Sequence, residues 1–463
     1  MPLTVLKLCM SLILPVGIGL IFLSVLFRKR QLNFMLAMAL SYGLGLGVLA
    51  HILFLIGILR LQYHFGLIAV LMISLGVLTG ICLRVRQFPC SFRRDADIQS
   101  QKINWINGLV LFYIWCSVLY AFWRAMHVPI GYWDEVATSS FVGKVVFFDK
   151  SLPALSLLPH SAYPLTVPLI QTWISLGLGY WDEQLVKLIF PLAFLSYVGV
   201  HYSFLLNVTN RRWAIAGTAL LISSNFLLFQ ATIAYRDLFM LYYNCTAILL
   251  LLLWHRNKDD GFLVLAGLYS GLMTFIKLEG LGYLFLHTLL LAVLLFKGKT
   301  KGQGGSDNFR GLLKRFRLFA VPGYAIGLFF YVYKLMAGIA PADDRIRIAF
   351  SLEQFLRIPH IINRFLAEMF FIGGWNIVWF FLAVSWMGVV CLKKQLTDES
   401  KMLGLMILAF LVLYGGLAFL PLNFPWLAGP RSHTTLSRGF LHFSPLAVLL
   451  AVLLNFNMRE TKD

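Results

Sequence analysis

The chain has 463 residues, 59% of them hydrophobic and only 13% charged, with a formal net charge of +19. A soluble protein carries about a quarter of its residues charged, so this composition excludes a water-soluble globular core. Nucleic acid is not the partner either, because the bases sit in short links between apolar runs and no basic–aromatic module accompanies them.

Apolar runs at 4–27, 33–59, 66–83, 105–127, 184–206, 213–229, 238–254, 262–276, 280–296, 317–335, 372–392, 402–420 and 440–456 predict an all-α polytopic membrane protein with about 13 transmembrane helices. The first run exceeds the apolar core of a signal peptide and lacks a small-residue cleavage site, so it reads as a retained span. The cysteines, Cys9, Cys82, Cys90, Cys116, Cys245 and Cys391, form no Cys-x-x-Cys pair. Neither a disulfide framework nor a cysteine zinc site is supported.

Orientation follows from the bases. The loops at 28–30, 84–102, 211–212, 256–258, 297–317, 393–401 and 459–462 hold 24 Lys and Arg, leaving 15 of the 39 elsewhere. Loops rich in Lys and Arg stay in the cytoplasm. The N-terminus is therefore expected outside and the C-terminus inside. A Gly-rich link at 297–307 reads as a flexible cytoplasmic loop. The expected organisation is a three-helix extension at 1–104, a module at 105–300 with an outer loop at 128–183, and a module at 301–463 with outer loops at 335–371 and 421–439.

The run 105–127 leads into Gly131-Tyr132-Trp133-Asp134-Glu135, with two adjacent carboxylates at the expected outer interface. Acids beside a bilayer are costly and often functional. Asp134 and Glu135 read as a general base for an acceptor hydroxyl or as helix-end acids. The pentapeptide recurs as Gly179-Tyr180-Trp181-Asp182-Glu183, where the acids favour a helix N-terminus and the structural reading is preferred. The segment between the copies is broken by Pro153, Pro159, Pro164 and Pro168, and predicts short helices lying on the outer surface; its apolar stretch from Tyr163 to Gly177 is too short for a span and reads as an interfacial or re-entrant helix.

Further along, Tyr235-Arg236-Asp237 fills a short outer turn. Asp237 either caps the next helix or positions substrate beside Asp134. Lys277-Leu278-Glu279-Gly280 joins two short spans. Lys277 suits a lipid phosphate or snorkels to the interface. The loop at 334–371 carries Asp343, Asp344, Arg345, Arg347, Glu353, Arg357, His360, Arg364 and Glu368, read mostly as a solvated face. Arg438, just before the last run, is a phosphate fork or an interface anchor.

These pieces, in this order, resemble the GT-C superfamily of membrane glycosyltransferases, most of all the protein O-mannosyltransferases and the lipid A aminoarabinose transferases. The family's first-loop acidic pair is matched by Asp134-Glu135, and its proline-rich interfacial stretch by His160 to Pro168. Its second acid is matched by Asp237. Its Gly-Leu-x-x-x-x-Lys-x-Glu-Gly segment is matched from Gly271 to Gly280, and its late basic residue and proline by Arg438 and Pro445. The resemblance covers about residues 105–456. Departures are the three preceding spans and a Ser-Ala-Tyr-Pro sequence where His-Pro-Pro is commoner.

The resemblance implies an inverting transferase. It would move a sugar from a polyprenyl-phosphate donor to a hydroxyl of a glycan, lipid or protein on the outer face of the plasma membrane. Asp134 and Glu135 would be catalytic; Asp237, Arg236, Lys277, Glu279, Arg438 and His160 would bind substrate. No cofactor is demanded. A divalent metal stays open, with His160, Glu279, His360 and Glu368 as loose candidates that lack ligand spacing. A transporter or flippase of lipid-linked saccharides, or an O-antigen-ligase-like enzyme, stays open as well.

Overall fold

The computed structural model describes residues 2–27, 32–82, 90–91, 104–158, 160, 162–300, 309–339, 355–419 and 432–460. Apart from a two-residue parallel pairing of Leu32–Asn33 with Cys90–Ser91, regular structure among these residues is helical. Eight helices are long and apolar enough to cross a bilayer: Thr4–Leu26, Phe34–Ile58, Trp105–His127, Leu185–Val208, Arg236–Asn257, Gly280–Lys297, Phe309–Met336 and Asp398–Gly416. A ninth crossing results if Thr435–Leu441 and Ser444–Met458, bent by 48° at a short break, count as one. The chain is an all-helical, multi-pass membrane protein.

Several expected spans take another form. Those at 262–276 and 372–392 are shorter helices, Asp260–Thr274 and Val378–Cys391, whereas the run at 66–83 is helical over Phe65–Cys82. The run 213–229 is two helices, Arg211–Ile222 and Asn225–Gln230. Two serines divide it: the Ser223 hydroxyl donates to Leu220 O, and Ser224 Oγ accepts from Leu227 N. Such local bonds compete with the helical ladder.

The chain folds as two compact units. The first comprises Met1–Lys102, Val118–Phe204 and Gln230–Ile339, so it takes in the N-terminal helices and reaches past the Gly-rich link. Its helices are α1 (Pro2–Leu26), α2 (Phe34–Ile58), α3 (Phe65–Cys82), the C-terminal part of α4 (Trp105–His127), α5 (Phe141–Asp149), α6 (Thr166–Leu178), most of α7 (Ile189–Val208), α10 (Arg236–Asn257), α11 (Asp260–Thr274), α12 (Gly280–Thr300) and α13 (Phe309–Met336). Starts are set by local capping: Asn33 Oδ1 accepts from Met35 N, and Asp259 Oδ1 from Gly261 N. The α10 helix is buried along nearly its whole length, and α11 packs between it and α13.

Helix α6 is a short helix, as expected, and of the interfacial and re-entrant alternatives its burial departs from the interfacial one. Nearly all of it is buried, against α1, α2 and α5. The run 165–178 holds no ionisable side chain, and the Trp173 indole donates to Ser11 O at 2.8 Å. A helix without charged side chains, whose polar groups find protein partners, as Gln171 does at Ser140 Oγ and Thr172 at Gly143 O, is stable in the protein core.

The second unit comprises Ile103–Ser117, Leu205–Phe229 and Ala340–Asp463. Besides the start of α4 and the end of α7 it contains α8 (Arg211–Ile222), α9 (Asn225–Gln230), α14 (Ile358–Ala367), α15 (Val378–Cys391), α16 (Asp398–Phe419), α17 (Ser432–Leu441) and α18 (Ser444–Glu460). Its core is α18 against α8, α15 and α16, joined by stacked rings such as Phe410 on Phe443 at 5.3 Å. Helix α14 has no buried residue; Arg357, just before it, and His360 are exposed, and Arg364 is half-buried.

Candidate active site

The first copy of the pentapeptide follows the end of α4. After it the chain winds into a π-helical turn, Glu135–Ser140, before α5. Such turns are rare and recur at functional sites. Glu135 opens this one and is fully buried. Its Oε2 accepts from Gly131 N and Tyr132 N, both at 2.9 Å, and its Oε1 from Ala234 N at 2.5 Å. Lys187 Nζ, also fully buried, stands 3.9 Å from Oε1 and donates to Val128 O at 2.8 Å. Glu135 therefore ties the outer loop to the start of α10. Asp134, one residue earlier, is half-exposed; its carbonyl accepts from the Thr138 hydroxyl.

The turn before α10 supplies the next layer. The Arg236 guanidinium donates to Ser139 Oγ at 3.2 Å and to Thr138 O at 2.6 Å, and lies 5.0 Å over the Tyr163 ring. It thus binds the π-helical turn from the other side. Asp237 is fully buried, and Lys277 Nζ donates to its Oδ1 at 2.9 Å. The same ammonium is 3.2 Å from Glu279 Oε1, a side chain one-third exposed. Lys277 thus bridges two carboxylates, one inside and one at the rim. Paired in this way, buried charge is tolerated. Nearby, Arg124 donates to Thr232 Oγ1 and, at 3.4 Å, to the Tyr132 hydroxyl.

A third side comes from the chain ahead of α6 and the end of α13. Lys334 is buried, donates to Ala162 O at 3.2 Å and lies 5.8 Å from the Phe330 ring centre. His160 is exposed, with a left-handed backbone (φ 55°) and its ring 5.7 Å from that of Tyr163. Thr166 closes the arrangement by donating to Phe275 O at 2.6 Å. Asp134, Glu135, Arg236, Asp237, Lys277, Glu279 and Lys334 therefore share one end of the first unit.

The second copy of the pentapeptide has its carboxylates in exchanged roles. Asp182 Oδ1 accepts from Gln184 N at 3.0 Å and Leu185 N at 2.8 Å, capping the turn that opens α7's span. Glu183 lies outside, 3.6 Å from the exposed Lys144. The preceding Gly179 has φ 87°, a left-handed conformation that glycine adopts freely.

Arg438 and Glu368 belong to the second unit. Arg438 is half-buried on α17. Glu368 is fully buried at the start of a π-helical turn, Glu368–Ile372, and accepts from the neighbouring Ser437 hydroxyl. Among the described residues no three His, Cys, Asp or Glu side chains gather as a metal site would require. Asp343, Asp344, Arg345, Arg347 and Glu353 lie outside the described residues.

Sequence reasoning passed over Lys187 and Lys334. The signal was present: each is an ionisable residue within a membrane-spanning segment, near its end, where burial is expensive. What their partners are was not readable, since Glu135 and Ala162 are remote in the chain. No protein family, curated protein or solved structure matches this chain.

Proposed function

We propose that the chain is a GT-C-like glycosyltransferase of the plasma membrane, working on the outer face with a polyprenyl-phosphate sugar donor. The observation that carries this reading is the cluster of buried, mutually paired charges around the half-exposed Asp134 at one end of the first unit. Around it the thirteen apolar segments of the sequence would complete a GT-C-like arrangement. In this reading Asp134 takes the proton of the acceptor hydroxyl. The acceptor oxygen bonds to the anomeric carbon as the bond from that carbon to the phosphate oxygen breaks, inverting the centre. The lipid phosphate leaves as an anion and needs no proton. Cations placed where that charge grows lower the barrier.

Lys277 is the cation of the first unit assigned to the phosphate; Arg438, in the second unit, keeps the phosphate-fork role that the resemblance implies. Lys277 already neutralises two carboxylates, so the phosphate would displace the rim acid Glu279 and leave the buried bond to Asp237 in place. Arg236 and Glu135 act as positioning residues that hold the π-helical turn, and His160 would border the donor.

A second reading has support in the fully buried Lys187–Glu135 pair, whose lysine stands near the start of a span. Buried ion pairs also occur in transporters and flippases of lipid-linked saccharides. One assay separates the two: purified protein in vesicles with a polyprenyl-phosphate sugar labelled in the sugar. Covalent transfer to an acceptor hydroxyl supports the transferase. Passage of the donor across the bilayer without transfer overturns it.

A further inference from the structure

Between α11 and α13, at the opposite end of the first unit from Asp134, lies a groove of about 610 Å³. Binding pockets are typically about 300–1,000 Å³. Its floor is apolar, with Val264 from α11 and Leu313 and Val321 from α13. Arg310, Lys314 and Arg317 form its rim. They stand four and three residues apart, which puts them on one face of the helix. The same helix carries Lys334 near the candidate active site, roughly 25 Å further along at 1.5 Å rise per residue. The groove is thus remote from that site.

Three cations stand at the rim against one acid. Lys314 Nζ lies 3.9 Å from Asp260 Oδ2, an exposed pair that contributes little. Among the described residues, Arg310 and Arg317 face no carboxylate. An apolar trough that ends in a surplus of cations over acids among the described residues, at the end of a membrane-spanning helix, has the shape and charge of a phospholipid seat. Basic clusters beside spans attract anionic head groups, and the base-rich links place this end at the cytoplasmic leaflet.

We propose that the groove binds one anionic phospholipid of the bilayer, its phosphate at Arg310, Lys314 and Arg317 and an acyl chain along Val264 and Val321. The proposal does not depend on the glycosyltransferase reading.

The test uses the full chain in mixed micelles with equal phosphatidylglycerol and phosphatidylcholine, read by native mass spectrometry. The wild-type chain is expected to retain one phosphatidylglycerol in preference to phosphatidylcholine. Arg310→Gln/Lys314→Gln/Arg317→Gln should lose that preference by about fivefold per cation, on the order of a hundredfold in all. Val264→Trp fills the trough without changing charge and should expel the lipid. Arg211→Gln/Arg212→Gln removes two bases elsewhere and should leave retention unchanged, and millimolar inorganic phosphate should not displace the lipid. Retention by the triple variant overturns the proposal, as does equal loss in the Arg211/Arg212 control or displacement by phosphate. If the triple variant does not fold, undiminished retention by Val264→Trp overturns it instead.

Discussion

Asp134 and Glu135 are neighbours at different depths, Asp134 half-exposed and Glu135 fully buried, and the roles proposed for them differ accordingly. Glu135 accepts three backbone N–H bonds and faces Lys187, so its oxygens are committed. Breaking a buried pair of this kind costs about 3–5 kcal/mol, and Glu135→Gln should lower the melting temperature in detergent markedly. Asp134→Asn should melt close to wild type and lose about 10²–10⁴-fold in sugar transfer, the usual contribution of a general base. Wild-type transfer by a well-folded Asp134→Asn would remove Asp134 from the mechanism. Asp182 only caps a turn, so Asp182→Asn should be near neutral and Asp182→Ala should cost about 1 kcal/mol. Donor titration probes Lys277 in the same way. Lys277→Ala and Arg438→Ala should each weaken donor affinity roughly ten- to a hundredfold, and Arg438→Lys should not restore it. Glu279→Gln removes the competing carboxylate and should hold affinity at wild type or better. Unchanged donor affinity in both alanine variants would place the phosphate elsewhere.

At the scale of elements, the contact between α11 and α13 supports both the candidate site and the groove. It depends on two glycines one turn apart. A Cβ at Gly271 would lie 2.5 Å from Gly323 O, and one at Gly267 would run into Phe319 O. Small residues at this spacing let helix backbones approach closely inside a membrane. Gly271→Leu must push α13 outward; overpacking of this kind costs about 1–3 kcal/mol. A fall in melting temperature together with loss of donor binding is expected, because α13 carries Lys334 and α11 leads into Lys277. A Gly271→Leu variant with wild-type stability would show that the two helices slide apart freely. The last turn of α11 is tightened by bonds from Phe275 N to Leu272 O and from Ile276 N to Met273 O. That tightening ends the helix early and turns Lys277 towards Asp237.

For the whole molecule, sidedness is the property on which the functional reading depends. In the proposed orientation, base-rich links hold 256–258 in the cytoplasm and leave the loop at 128–183 outside. Leu157 is exposed in the loop and Lys258 at the end of α10. In a background without the exposed Cys9, Cys116 and Cys391, Leu157→Cys should react with an impermeant thiol reagent in intact cells. Lys258→Cys should react only after permeabilisation. The reverse pattern would invert the protein and move the candidate site to the cytoplasm.

The sequence by itself determined the membrane class and the residues around which charge gathers. Long apolar runs leave no alternative to helices, since every backbone group in lipid must find its partner within the segment. Asp134, Glu135, Arg236, Asp237, Lys277 and Glu279 were legible because acids and bases are rare in such a chain. Length alone could not tell a span from a buried short helix. That is why α6 came out in the core and the run 213–229 came out as two helices parted by serines. Tertiary structure alone decided the roles. The two copies of Gly-Tyr-Trp-Asp-Glu are identical in sequence, yet Glu135 is buried against Lys187 while Glu183 lies at the surface. What distinguishes them is the cost of burying a carboxylate, which only partners brought from remote segments can offset. No local pattern encodes those partners.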